Sequence, residues 1–150
     1  MLKPKIKERS LYNIVTDFEE RIYFLPNNIS YQHQVFENAM HSAAKAKLKE
    51  YPLECSLWDY AYTEAGTPFM MPKTSLKLLS VSNSINANTV LLPPSAAWLY
   101  LMSETFLAHL ILFEANMVDD DIDLYDNMLD DVVLFFSELG YMDLYEKLTS

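Results

Sequence analysis

The sequence predicts a single α+β domain in which about four helices pack on a small antiparallel sheet. Apolar residues recur at helical spacing in the long segments on either side of the chain's middle, and the short runs between them alternate apolar and polar residues as strands do. Of the 150 residues, 51% are hydrophobic, so the chain can bury one core. We assign residues 18–150 to this domain and residues 1–17 to a flexible N-terminal arm with a basic start.

The first long helix is predicted over residues 31–51. Ser30 is a typical N-cap residue, and the apolar side chains that follow form one stripe. Pro52 cannot continue a helix and marks its end. Three lysines near that end lie where the helix dipole favours positive charge: Lys45, Lys47 and Lys49.

A β-hairpin is predicted next. Residues 54–63 alternate as a strand, residues 64–68 have the composition of a turn, and residues 69–71 form a second strand closed by Pro72. The same criteria predict three more elements: a strand over 75–82, a turn over 83–88 and a short strand over 89–92.

Two further helices complete the prediction. Residues 95–115 form the most apolar segment, but Ser103, Glu104 and His109 interrupt it, which indicates a buried core helix and not a membrane span. The second helix covers residues 121–139. Three further features belong to the end of the chain: the acidic helix start Asp119–Asp121, the helix-terminating Gly140 and a short last turn over 142–148.

The charge of the chain is concentrated in its last third. The net charge is −10, yet residues 1–100 hold ten Lys and Arg against nine Asp and Glu, whereas residues 101–150 hold Lys147 against twelve acids. Such a field repels nucleic acid and favours basic protein partners. The candidate partner-binding residues are Asp119, Asp120, Asp121, Asp123, Asp126, Asp130 and Asp131.

The motifs of metal sites do not fit this chain. Read as a calcium loop from Asp119, the acidic run places Leu124 where glycine is required and Asp130 where a glutamate is usual. The histidines His33, His41 and His109 have no spacing that would let two share a metal ion. We therefore predict no metal and no cofactor.

The sequence also offers no catalytic motif. Cys55 is the only cysteine, so no intrachain disulfide can form, and its apolar, alternating surroundings indicate buried packing. With two glycines in the chain, phosphate-binding loops are absent. We predict a non-enzymatic protein of a reducing cytoplasm, without a membrane association.

Trp58, Tyr60 and Tyr62 share one face of the predicted first strand. This aromatic face is either packed under a helix or exposed as a recognition patch, and packing is the preferred interpretation because aromatic side chains dominate small cores.

Two segments together resemble the ArdB/KlcA antirestriction family, small proteins of mobile genetic elements such as plasmids that relieve type I restriction. The first is the segment from Arg21 to Pro26, with Phe24 at its centre, and the second runs without gaps from Trp58 to Pro72. The matching positions of the second segment are Trp58, Tyr60, Gly66, Phe69, Met70 and Pro72. The order of elements agrees as well, so that the resemblance covers most of residues 18–148.

The resemblance implies an α+β fold and an inhibitory role against DNA restriction, with no catalytic residues. The matched residues are expected to be structural, with Arg21 paired to an acidic neighbour. The resulting hypothesis is an inhibitor that binds the type I restriction-modification complex through its acidic surface, with DNA mimicry as one possible mechanism. The alternative is an acidic immunity or antitoxin-like protein that neutralises a basic toxin or nuclease.

Overall fold

The computed structural model describes residues 11–29, 33–51, 58–83, 88–113 and 119–149, and it confirms a single-domain α+β fold. The helices of this part of the chain are α1 (Phe18–Ile22), α2 (Phe24–Ile29), α3 (His33–Lys47), α4 (Pro94–Phe113), α5 (Asp119–Leu139) and α6 (Met142–Thr149). The strands are β1 (Tyr12–Ile14), β2 (Trp58–Thr63), β3 (Pro68–Pro72), β4 (Leu79–Ser82) and β5 (Thr89–Leu92).

Within the described residues, β1, β2 and β3 form an antiparallel sheet in that order. Tyr12 on β1 lies opposite Thr63 on β2, and Trp58 lies opposite Pro72 on β3. The turn between β2 and β3 requires a positive backbone angle, which Gly66 supplies with φ of 99°. The predicted hairpin is therefore confirmed over residues 58–72.

A second pair of strands, β4 and β5, lies apart from this sheet in the described residues, with Leu79 opposite Leu92. The outer side of β4 meets the chain that leaves α3, because Leu48 forms a bridge with Val81. The backbone N–H of Ser80 also donates to the Glu50 carboxylate at 2.8 Å. These contacts hold the end of α3 against β4.

Helix α4 lies at the centre of the core. Its segment from Ala96 to Met102 is completely buried, as expected for a helix that is apolar on all sides. The ring of Phe106 packs between Phe36 of α3 and Tyr125 of α5, with centroid distances of 5.2 and 5.5 Å. The prediction of a buried core helix is confirmed.

The end of α5 also follows the sequence prediction. Gly140 has φ of 77°, and its N–H donates to the carbonyl of Ser137 at 3.0 Å. The N–H of Tyr141 donates to the carbonyl of Phe136 at 2.9 Å. This pair of bonds is the Schellman motif that commonly ends a helix at glycine.

Several predicted boundaries are wrong. The domain does not begin at residue 18, because residues 11–15 form β1 and its buried flanks. Helix α3 ends at Lys47, four residues early, and α5 begins at Asp119, two residues early. The strand predicted from residue 75 begins at Leu79, after the exposed Leu76 and Leu78, and the last turn is the helix α6. Ser30, Pro52 and Cys55 lie outside the described residues.

Candidate partner-binding surfaces

The outer side of α5 presents a row of carboxylates. Asp123, Asp126 and Asp130 are exposed, and they follow one another at helical spacing, about 4.5 and 6 Å apart along the axis. We call these three residues the acidic face. None of them forms an ion pair with another described residue. The opposite side of the helix is buried in the core: Tyr125, Met128, Val132, Phe135, Phe136 and Leu139.

The backbone of Asp119, Asp120 and Asp121 lies in the first turn of α5, as the charge pattern predicts. Their side chains are outside what the structure describes. The acidic face is therefore defined here from the three described carboxylates alone.

The acidic face carries less charge than DNA. Its three carboxylates span about 10 Å of helix axis, a length over which duplex DNA carries about six negative charges. The row therefore has about half the charge density of the duplex.

Asp131 does not belong to this face, so the prediction that placed it there is wrong. It is buried, and its carboxylate accepts a hydrogen bond from the hydroxyl of Thr63 on β2. The Thr63 hydroxyl oxygen in turn accepts the N–H of Thr67 at 3.0 Å. The sequence carried a signal for this, because residue 131 lies three positions after the buried Met128 and four before the buried Phe135.

Arg21 joins three segments of the chain. Its guanidinium donates to the carbonyl of Val15 at 3.2 Å and to the carbonyl of Trp58 at 2.7 Å. Asp59, at 4.0 Å, is its acidic neighbour, and the guanidinium carbon lies 5.5 Å from the centre of the Tyr60 ring. The residue thus fastens the end of β1 and helix α1 to β2.

The aromatic face of β2 is packed, which supports the preferred interpretation. Phe24 lies between Tyr60 and Tyr62, with ring centroids 5.0 and 5.2 Å away. Trp58 contacts the buried Trp98 edge to face at 4.9 Å. Burial, followed by the charge of the nearby Glu37, raises the pKa of Tyr60. These rings remain partly exposed, so β2 lies just beneath the surface.

The other residues of the resemblance also occupy structural positions. Phe69, Met70 and Pro72 are buried in β3. Pro26 lies within α2, and its side chain is outside what the structure describes. Together with Gly66 in the turn, the described residues among them fix the hairpin against α4 and α5.

A polar network that the sequence did not indicate links α3 to α4. The Lys47 ammonium lies 2.8 Å from the Glu104 carboxylate, which also accepts the Tyr100 hydroxyl at 2.5 Å. Burial alone would raise the pKa of Glu104, but its hydrogen bonds from Lys47 and Tyr100 and the Lys47 charge lower it overall. Burial, with the contact to Glu104, strongly raises the pKa of Tyr100. The network is a structural link between the two helices.

Metal-binding and membrane-spanning features can be assessed for the described part of the chain. There, no three His, Cys, Asp or Glu side chains are placed to hold a metal ion. Across the same residues, no helix combines the length and apolarity that a membrane crossing requires.

The fold defines a small α+β protein in which a central buried helix supports an antiparallel hairpin and an acidic outer helix. No family model matches the chain, and no curated protein matches it. Among solved structures, the chain is similar to KlcA and ArdB, which show a novel fold and antirestriction activity against Type I DNA restriction systems in vivo but not in vitro. The TM-score is 0.61 at 14% identity, and the match covers 87% of this chain and 92% of the other. The resemblance predicted from the sequence is confirmed at the level of the fold.

Proposed function

We propose that this protein is an antirestriction protein, an inhibitor without catalytic residues that relieves host type I DNA restriction by binding the restriction machinery. The observation that carries the proposal is the match of nearly the whole fold to KlcA and ArdB. Since those proteins act in vivo but not in vitro, we expect the activity of this chain to be measurable in cells. The site of action would be the cytoplasm, and the natural carrier a mobile genetic element such as a plasmid.

The acidic face of α5 supports a protein contact. A complex that holds and moves along DNA needs basic surfaces, because its ligand is a polyanion. Three carboxylates on a rigid helix, without a described ion-pair partner, complement such a surface and speed the encounter with it. We propose that Asp123, Asp126 and Asp130 contact a basic protein patch, and that they do so without reproducing the outline of DNA.

Phage plating tests the antirestriction function. Cells with a type I restriction system, with and without this protein, are infected with unmodified phage and with phage already modified by the same system. We expect the protein to raise the plating efficiency of the unmodified phage and to leave that of the modified phage unchanged. No relief would contradict the proposal and would favour the alternative, neutralisation of a basic toxin or nuclease.

Cross-linking in cells tests the contact surface separately. A photo-activated amino acid at Asn127, which is exposed beside the acidic face, is expected to capture subunits of the type I complex. The same group at Phe18, which is 76% exposed on α1, serves as the control position. Capture from Phe18 but not from Asn127, in cells where restriction is relieved, would move the contact away from α5.

A further inference from the structure

The outer edge of β5 presents open backbone groups. The N–H of Asn83 donates to the carbonyl of Asn88 at the end of the β4–β5 ladder. Since bonded and non-bonded pairs alternate along an antiparallel ladder, the backbone groups of Val90 face β4, whereas those of Thr89 and Leu91 point away from it. Within the described residues, no hydrogen bond reaches these outward groups. The edge thus offers N–H donors and carbonyl acceptors to a further strand.

Two other strand edges are protected by residues that the structure describes. On β3, the same alternation places Pro68 and Pro72 at outward positions, where they have no N–H to offer. On β4, the outward Ser80 accepts the N–H of Lys49 at 3.2 Å and donates its own N–H to the Glu50 carboxylate at 2.8 Å. An uncovered edge is a template for pairing with another strand, and proteins commonly block it in these ways. Neither form of protection is present on β5.

The region around this edge is uncharged. Residues 78–103 contain no Asp, Glu, Lys, Arg or His, although 21% of the whole chain is charged. Exposed leucines lie here instead: Leu91 on the outer face of β5 is 56% exposed, and Leu78, one residue before β4, is 47% exposed. A charged partner surface therefore has no counter-charge here. A second copy of the same edge would meet no like charge on these strands, even though the net charge of the chain is −10.

We propose that β5 pairs with β5 of a second copy, antiparallel about a two-fold axis that passes between the two Val90 residues. In this register, Leu91 of one copy lies opposite Thr89 of the other, and each outward N–H meets an outward carbonyl. The two Leu91 residues are then diagonal neighbours on one face, about 7–8 Å apart, within contact distance for long side chains. The pairing joins the β4–β5 ladders of the two copies into a continuous sheet.

This contact is small. A pairing confined to residues 89–91 buries much less than the roughly 1,000 Å² that a stable interface requires. We therefore expect a reversible dimer that forms at millimolar protein concentration and dissociates in the micromolar range. The dimer is a property of the isolated protein and does not depend on the antirestriction proposal.

Sedimentation velocity of the full-length protein, from micromolar to millimolar concentration, tests the dimer. The salt concentration is about 0.15 M, which screens the net charge of the chain. We expect the wild type to shift reversibly from monomer toward dimer as its concentration rises.

Variants of one residue test the edge. Leu91→Pro should stay monomeric, because it removes an outward N–H but no hydrogen bond of the β4–β5 ladder. Leu91→Lys keeps the backbone donor but adds a charge to the edge, and it should also stay monomeric. The matched control is Leu134→Lys, at a leucine of α5 that is 51% exposed, and it should dimerise as the wild type does. Amide spectra show whether each variant is folded.

Disulfide trapping tests the register. Thr89→Cys and Leu91→Cys are made separately in a Cys55→Ser background and mixed at millimolar concentration with oxidised glutathione. Opposite residues of a hydrogen-bonded pair have Cα atoms about 5.5 Å apart, which is within the range of a disulfide. We expect the mixture to give a cross-linked dimer of one copy of each variant, and each variant alone to give much less.

Three results would overturn the proposal. The first is a wild type that stays monomeric at every concentration, which would leave a strand of another protein as the occupant of the edge. The second is dimerisation of folded Leu91→Pro and Leu91→Lys to the wild-type extent, which would place the contact elsewhere. The third is cross-linking of each cysteine variant alone as efficiently as in the mixture.

Discussion

The hydroxyl of Thr63 on β2 donates a hydrogen bond to the carboxylate of Asp131 on α5. This contact distinguishes Asp131 from its neighbour Asp130. Asp131 faces the sheet and is buried, while Asp130 faces outward. The described acids of α5 therefore include one that holds the helix to the sheet, Asp131, and three that are exposed on its outer side, Asp123, Asp126 and Asp130. The same contact places α5 beside the start of β1.

The first prediction concerns this pair of aspartates. Asp131→Ala should lower the free energy of unfolding by about 1–3 kcal/mol, because it leaves the buried Thr63 hydroxyl without its acceptor. Asp130→Ala should change it by less than about 0.5 kcal/mol. Urea unfolding measures both, and a cycle with Thr63→Val should give a coupling above about 0.5 kcal/mol. Equal effects of the two alanine variants would contradict this assignment.

Replacing Arg21 by lysine should destabilise the fold. A lysine cannot reach the carbonyls of Val15 and Trp58 together with a planar fork, so we expect a loss of about 1–2 kcal/mol in the free energy of unfolding. The control is Lys73→Gln, which removes the ion pair between the exposed Lys73 and the half-buried Asp59 and should cost less than about 1 kcal/mol. Urea unfolding measures both variants. If Arg21→Lys unfolds at the same urea concentration as the wild type, Arg21 does not join β1, α1 and β2 in the way described.

The network around Glu104 predicts a pH dependence. Because the pKa of Glu104 is lowered in the folded state, its ionised form adds stability above its ordinary pKa of 4.5, and that stability is lost as the pH falls through the lowered value. Glu104→Gln should therefore be less stable than the wild type near pH 7, and the difference should shrink below pH 4.5. Unfolding is followed by circular dichroism across this range. Glu20→Gln, an exposed control, should cost less than about 0.5 kcal/mol near pH 7. A Glu104→Gln difference that persists unchanged in acid would rule out the ionised network as its source.

At high pH, the free energy of unfolding is expected to fall as the pH rises, which is the opposite of its dependence in acid. Burial raises the pKa of Tyr60, Tyr100 and Tyr145, so their contribution is complete below the ordinary value of 10.0 and is lost as the pH rises above it. We expect the free energy of unfolding to fall steeply in this range, and less steeply in Tyr100→Phe. Tyr23→Phe, at an exposed ring, is the control. If the free energy of unfolding falls with pH equally steeply in the wild type and in Tyr100→Phe, Tyr100 does not contribute to the loss of stability at high pH.

Features set by nearby residues could be predicted from the sequence. The hairpin depends on alternating residues on either side of Gly66, and the end of α5 depends on Gly140, so both are recognisable locally. The three-residue strand β1 was missed because it forms only by pairing with β2, about fifty residues later. Its composition alone does not distinguish it from an arm.

The candidate site could also be predicted only in part from the sequence. Charge identified Asp123, Asp126 and Asp130, but grouping the acids by charge alone also included Asp131, whose place on the buried stripe assigns it to the core. The pair Lys47 and Glu104 could not be found, because its members are 57 residues apart and meet only when α3 packs on α4.

The measurement that tests the central claim most directly is the plating efficiency of unmodified phage on type I restricting cells that express three forms of the protein at equal levels. The forms are the wild type, the acidic-face variant Asp123→Asn, Asp126→Asn, Asp130→Asn, and the matched control Glu19→Gln, Glu20→Gln, Asp143→Asn. We predict relief of restriction by the wild type and the control, and its loss in the acidic-face variant. Full relief by the acidic-face variant would contradict the assignment of the contact to α5, and no relief by the wild type would contradict the antirestriction function itself.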